Sequence, residues 1–272
     1  MSKYSSYAVT VSSGCDIVKY LKDFTTTQNF QAAFVVQCAG EVSRATLRMA
    51  ESWNAYQPVK EVSDLTKIES FVGTISGGNG HLHASLSHKD GEVIGGHVFG
   101  PVVASGNVEI VVGECKNLSF TRTHDEQTGF PELLVLDRNA ESNLQHESQG
   151  PTSQGEVDTT VDDLTIKTYA LRLVPGEEIC NGLNIFVSKH KLKEPFIMTC
   201  VGSVTKAVIS VGQDEKVLTM EGYFEIVSLL GTPKNLQISL SDKDGCVTTG
   251  HVTGELIVFT TAELVLGEKI SE

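Results

Sequence analysis

Three histidines within one short stretch are the residues of this sequence best placed to do chemistry. Residues 81 to 97 read His-Leu-His-Ala-Ser-Leu-Ser-His-Lys-Asp-Gly-Glu-Val-Ile-Gly-Gly-His. From 81 to 87 the pattern alternates, so His81, His83, Ser85 and Ser87 share one strand face and Leu82, Ala84 and Leu86 the other. Lys89-Asp90-Gly91 signals a turn. The loop length decides where His97 lands. A two-residue loop at Asp90-Gly91 sets it opposite Ala84, and a four-residue loop from His88 to Gly91 sets it opposite Leu82, both on the apolar face. A three-residue loop from Lys89 to Gly91, with Gly91 left-handed, sets it opposite His83. Residues paired this way lie about 5 Å apart, and i to i+2 neighbours about 6.5 Å apart. Imidazoles so placed on His81, His83 and His97 can converge on one cation at about 2.1 Å from each nitrogen. Three neutral histidines with an open fourth position suit zinc first and other imidazole-tolerant metals next. Gly95 and Gly96 leave space beside the group, while His88 sits in the turn and faces away.

The elements that must carry these side chains occur twice. With Tyr7 placed on Tyr169, Gly14-Cys15-Asp16-Ile17 falls on Gly176-Glu177-Glu178-Ile179, and Cys38, Gly40 and Val42 fall on Cys200, Gly202 and Val204. After a shortened loop, Leu86 to Gly91 falls on Leu240 to Gly245, His97 on His251, Glu109 on Glu263, and Gly113-Glu114 on Gly267-Glu268. A period this long means two whole domains. The histidine positions become Asn235, Gln237 and His251 in the second copy. Amides are poor zinc ligands, so zinc is expected in the first domain only. Each copy opens with a helical pattern, Asp16 to Phe24 and Glu178 to Phe186, with acids placed where the helix dipole favours them. Extended runs follow, Ala33 to Cys38 and Phe196 to Val201, then several short strands rich in Val, Ile and Thr. The expected fold class is α+β: two tandem domains, each an antiparallel β-sheet flanked by helices. The boundaries read as 7–136 and 167–268, joined by an acidic flexible linker at 137–166 that is rich in Ser, Gln, Asp and Glu.

Composition narrows the function classes. The chain has 272 residues and a formal net charge of −13, from 34 acidic and 21 basic residues. With no basic run, it lacks the electrostatic footprint of a nucleic-acid binder. No stretch reaches the roughly 18 apolar residues of a membrane span, and the first ten residues lack the apolar core of a secretion signal. A cytoplasmic location is expected, with the nucleus as the alternative. Six cysteines without a C-x-x-C pair read as free thiols, Cys38 and Cys200 among them buried.

The stretch from His81-Leu82-His83 to Gly95-Gly96-His97, followed by Gly100 and Val108-Glu109-Ile110, resembles the plants-and-prokaryotes conserved (PPC) domain in its bacterial and archaeal form. Glu69 to Ser76 and the tail Phe120 to Leu133 fit the same pattern, and Gly222 to Leu229 is closer to the plant form. The resemblance implies an antiparallel sheet with helices, homotrimers as the usual assembly, and a zinc-like three-histidine site. It also brings a DNA-binding label, which the missing AT-hook and the duplication both weaken. The partner expected is a further copy of the fold, as a trimer-type homo-oligomer or as pseudo-symmetric docking of the two copies.

Two functions compete on these residues. The chain is a metal-binding assembly or protein-interaction module, or it is a metal-dependent enzyme acting on a small molecule. An open three-histidine cation can polarise a carbonyl or lower the pKa of water to about 7. Catalysis then needs an acid or base nearby. Glu69 and Glu109 are the candidates, with Arg48 as an anion clamp, although a surface or salt-bridging charge is the favoured reading of each. Glu109 has a counterpart, Glu263, in the copy without the site, which argues for a structural role. A third reading, DNA or chromatin association, rests on the family link alone and predicts strongly salt-dependent binding.

Overall fold

The computed structural model describes residues 4–51, 58–138 and 165–270. In the first copy β1 (Tyr4–Val11) leads into α1 (Ile17–Thr27), then β2 (Ala33–Ala39), β3 (Glu41–Arg48), β4 (Val59–Val62), β5 (Thr66–Ser76), β6 (Asn79–Ser87), β7 (Val93–Ala104) and β8 (Val108–Cys115). A hairpin follows, β9 (Leu118–His124) and β10 (Pro131–Asp137). The second copy runs β11 (Thr165–Leu173), α2 (Ile179–His190), β12 (Pro195–Val211), β13 (Lys216–Thr232), β14 (Asn235–Ser241) and β15 (Val247–Ile270). The expected helices on each sheet reduce to one per copy among the described residues, so the fold is dominated by antiparallel strands. Most of the expected linker, 137–166, lies outside the described residues; Asp137 ends β10 and Thr165 opens β11.

The two copies make the same local bonds at matched positions. Tyr7 donates to Glu114 at 3.2 Å, and Tyr169 donates to Glu268 at 3.1 Å. The acids expected in the first helical turn act one residue earlier, as N-caps. Asp16 accepts from the Val18 amide at 3.0 Å, and Glu178 from the amides of Cys180 and Asn181 at 3.0 and 2.7 Å. Each cap also takes an amide from the sheet, that of Val102 for Asp16 and that of Leu256 for Glu178. Ile17 and Leu21 on α1, and Ile179 and Leu183 on α2, are fully buried. The helices are thus fixed by one apolar face and one carboxylate each.

The first copy orders its strands β1-β8-β2-β5-β6-β7-β3-β4, with β5 also paired to β3. The second orders them β11-β15-β12-β13-β14, with β14 also paired to β15. There β12 runs on through Gly202 and does the work of two strands of the first copy. Cys38 and Cys200 are buried free thiols, pushed up in pKa by desolvation, Cys38 to about 12.

A third apolar cluster joins the copies. Phe34, Cys115, Leu118, Phe120 and Leu133 meet Val265, Ala170 and Met198. The β9–β10 hairpin therefore lies across the junction. Arg172 of β11 donates to Asp125 at 2.8 Å and lies 3.8 Å from Glu132, both acids belonging to the hairpin segment. Gly95 of β7 donates to the Gly245 carbonyl at 2.9 Å and accepts from Ser241 Oγ at 2.7 Å. A Cβ at Gly95 would meet Val247, Ser241 and Val227 at 3.0 to 3.1 Å. The expected room beside the histidines is thus filled by the second copy at Gly95. At Gly96 a Cβ would meet the Arg48 carbonyl oxygen at 2.7 Å.

Candidate metal centre

The β6–β7 connection places the third histidine as the loop argument requires. His88 N–H donates to the Glu92 carbonyl at 2.8 Å, leaving Lys89 to Gly91 as the three-residue loop, with Gly91 at φ +89°. His83 pairs with His97 across the ladder, and His81 precedes His83 by two on the same face. The ring centroids lie 4.9 Å apart for 81 and 83, and 5.2 Å for each pair involving His97. One ring nitrogen from each falls within 4.8 Å of the others.

The second copy fixes two of the three rings. His83 Nδ1 lies 2.8 Å from the Ile226 carbonyl of β13, and His81 Nδ1 lies 3.1 Å from Glu263 of β15. Glu263 is fully buried and also takes Arg122 of β9, at 2.7 Å to Nη1 and 3.0 Å to Nη2. Thr74 Oγ1 donates to the same carboxylate and accepts from Arg122 Nη2 at 2.9 Å. Burial alone would raise the Glu263 pKa, but the charges and hydrogen bonds of His81 and Arg122 outweigh it and hold the carboxyl well below its usual range.

These partners set the tautomers. A carbonyl and a carboxylate both accept, so each Nδ1 carries its proton; His83 Nε2 then presents a lone pair, and so does His81 Nε2 when that ring is neutral. The two Nε2 atoms face one another at 3.2 Å. Two nitrogens each about 2.1 Å from a tetrahedral cation would lie about 3.4 Å apart. Without a cation or an extra proton, that contact sets lone pair against lone pair. On His83 an extra proton is disfavoured: desolvation first, then the charge of neighbouring His81, push it well below the ordinary histidine value. Desolvation and the other two rings do the same to His97. His97 Nδ1 is buried with no hydrogen-bond partner. The donor set and its electrostatics fit one divalent cation.

The group opens on a cavity of about 400 Å³ whose walls include Arg48, Arg122, Phe130, Glu225, Phe259 and Thr260. Glu225 Oε2 lies 3.6 Å from His83 Nε2, on the side where a cation would sit. Desolvation raises the Glu225 carboxyl to about 7, against the opposing charges of Arg48 and His81. Of the residues named from sequence, His81, His83, His97 and Arg48 come together here. Glu69 and Glu109 do not line the cavity. Both are exposed, Glu69 accepting from Ser87 and Glu109 from Thr10. The acids against the imidazoles, Glu263 and Glu225, come from the second copy, while Glu51 and Glu132 line the cavity beside Glu225. Glu263 had a signal, as the repeat partner of Glu109; Glu225 lay in the Gly222 to Leu229 stretch that resembles the plant form, with nothing to place it beside the histidines.

In the second copy the ladder is kept and the chemistry is gone. Gln237 pairs with His251 as His83 does with His97, and Asn235, Gln237 and His251 are all exposed.

Two β-rich repeats with a three-imidazole group at their junction define a tandem-domain protein. Residues 1–116 and 163–270 each match the Plants and Prokaryotes Conserved (PCC) domain, and the chain belongs to that family. The β9–β10 hairpin lies outside both matched stretches. Similar proteins include a bifunctional protein GlmU of Synechococcus, 30% identical over 129 residues, 47% of this chain and 20% of that protein. AT-hook motif nuclear-localized protein 2 of Arabidopsis thaliana is 32% identical over 120 residues, 41% of this chain and 35% of that one. The chain thus spans well under half the length of these relatives. Among solved structures, a hypothetical protein from Salmonella cholerae-suis is 25% identical with a TM-score of 0.47, covering 51% of this chain and 97% of that one. A metal-containing protein from Archaeoglobus fulgidus is 26% identical with a TM-score of 0.43, covering 48% and 93%. No helix among the described residues is long and apolar enough to cross a membrane.

Proposed function

We propose that the chain is a metal-binding protein that holds one divalent cation, zinc first, on His81, His83 and His97, with the second copy supplying the groups that orient the rings. The observation that supports this reading is three imidazoles whose ring nitrogens gather within 4.8 Å, with the Nε2 atoms of His81 and His83 3.2 Å apart and each Nδ1 turned to an acceptor of the second copy. A divalent cation there would supply Lewis-acid polarisation of a bound group. The second copy's own part is to hold protons: Glu263 keeps one on His81 Nδ1, and the Ile226 carbonyl keeps one on His83 Nδ1. Metal analysis of the purified chain tests the reading. About one zinc per chain is expected, lost in His83→Ala and absent from an isolated second copy. A stoichiometry near two, or zinc retained by His83→Ala, refutes it.

The cavity favours an enzyme over a purely structural centre. A structural site is closed by protein ligands, whereas this one faces space and a buried carboxyl, Glu225. In that reading Glu225 accepts or returns a proton beside the open position, in place of the Glu69 and Glu109 expected from sequence. The assembly reading keeps one support. The second copy exposes Leu230 and Val217, 52% and 60%, on the strand that leads to Asn235 and Gln237. Native mass of the loaded chain reads it, and a single-chain mass at working concentration rejects it.

A further inference from the structure

One cation on the cavity wall, Arg48, is held by aromatic rings and feels the charge of Glu225 on the same wall. Arg48 pairs with His97 across β3 and β7, so its side chain rises on the histidine face. Its guanidinium carbon lies 5.5 Å from the Phe99 ring centroid and 6.0 Å from that of Phe130, and its Nε is buried without a hydrogen-bond partner. Two aromatic rings hold the fork through its face rather than through its N–H donors. Arg122 is the opposite case, since its donors are taken by Glu263 and Thr74.

The internal repeat supplies a control. Ser210 pairs with His251 as Arg48 pairs with His97. The copy that lacks two of the three histidines also lacks the arginine, while the ladder they stand on is kept. An arginine required by the shared fold would be needed in both copies. Arg48 therefore goes with the site and not with the scaffold.

We propose that Arg48 and the open face of the metal centre form a two-point site for a small organic carboxylate whose apolar body lies against Phe130 and Phe259. The planar fork matches a carboxylate through paired N–H donors. The volume, about 400 Å³, is at the small end of ligand sites. Ser203 and Thr260 on the same wall are hydrogen-bonded to each other at 2.7 Å, which leaves one hydroxyl proton of the pair for a polar atom of the body. This inference rests on the metal reading above.

The test uses the full chain loaded with cobalt(II), whose visible spectrum reports its coordination. Benzoate is titrated in, with benzamide and inorganic phosphate as comparisons. Benzoate is expected to change the spectrum, benzamide and phosphate to do so far more weakly. Arg48→Gln should weaken benzoate about tenfold or more, the size expected for losing a charge-assisted pair. Its cobalt content should be unchanged, and Arg48→Lys should recover part of the loss. A chain that takes up cobalt but shows no response to benzoate overturns the carboxylate site and leaves the metal reading standing. So does equal binding of benzamide or phosphate, or an Arg48→Gln titration like that of the unaltered chain. A chain that takes up no cobalt overturns both.

Discussion

His81 Nδ1 lies 3.1 Å from Glu263, a residue 182 positions further along the chain. The ring belongs to the first copy and the carboxylate to the second, while Arg122 from the intervening hairpin clamps the same carboxylate at 2.7 and 3.0 Å. Three segments thus meet on one buried acid, and the orientation of a first-copy imidazole depends on the other two.

Removing either side of that clamp should be costly in a distinguishable way. Arg122→Met leaves Glu263 buried and short of its charge partner, and should destabilise the chain by about 3–5 kcal/mol. Combining it with Glu263→Gln should recover part of that loss in urea unfolding; strictly additive losses would mean that the two groups are not coupled. Glu263→Gln alone should lower metal affinity about 10–100-fold in a chelator competition, as expected for losing the partner of a ligating imidazole.

Gly95 is a point of close approach between the copies on the histidine side. Valine there would drive its branches into Val247, Ser241 and Val227, which already stand 3.0 to 3.1 Å from an added Cβ. Gly95→Val should destabilise by about 1–3 kcal/mol, the usual range for overpacking. It should also weaken metal binding, because Glu263 and the Ile226 carbonyl sit on the copy being displaced. Unchanged metal affinity would show that the rings hold their geometry alone.

The hairpin outside the family match should matter to stability. Phe120 is 4% exposed and lies in the cluster with Phe34, Leu133 and Val265. Phe120→Ala should cost about 3–5 kcal/mol in unfolding free energy. A cost near zero would make the hairpin a passenger.

Acid should loosen the same junction through Asp125. The hydrogen bond from Arg172, with help from the Gln127 amide, holds this carboxyl below its ordinary range. A folded pKa below the unfolded one, about 3.9, adds stability that is present above the unfolded value and lost as pH falls through the folded one. Thermal unfolding from pH 6 downward, roughly to pH 3, should therefore fall less steeply in Asp125→Asn than in the unaltered chain. Identical slopes would remove Asp125 from the account.

The histidine face was legible in the sequence because a two-residue alternation and a glycine-ended loop leave few registers, and only one puts His97 beside His83. The repeat was legible because capping acids, tyrosine–glutamate pairs and turn glycines recur at matched positions. What surrounds the rings was not. Contacts between the copies leave no periodic trace, so the Gly222 to Leu229 stretch was recognisable while the approach of Glu225 and the Ile226 carbonyl to the histidines was not. Glu263 was visible as the repeat partner of Glu109, but the two positions face different surroundings. Glu109 meets Thr10 in the open, while Glu263 is buried against His81. Gly95 was misjudged for the same reason: a missing side chain reads equally as space for a ligand or as space for another backbone.

Carrying both halves on one polypeptide has a consequence for how the centre comes into being. Tethered partners meet at a fixed local concentration, so the junction forms at the same rate however dilute the protein is. It also relieves the second half of any need to offer imidazoles of its own, since its role is always to receive and never to present. Asn235, Gln237 and Ser210 occupy the vacated positions on an otherwise intact ladder.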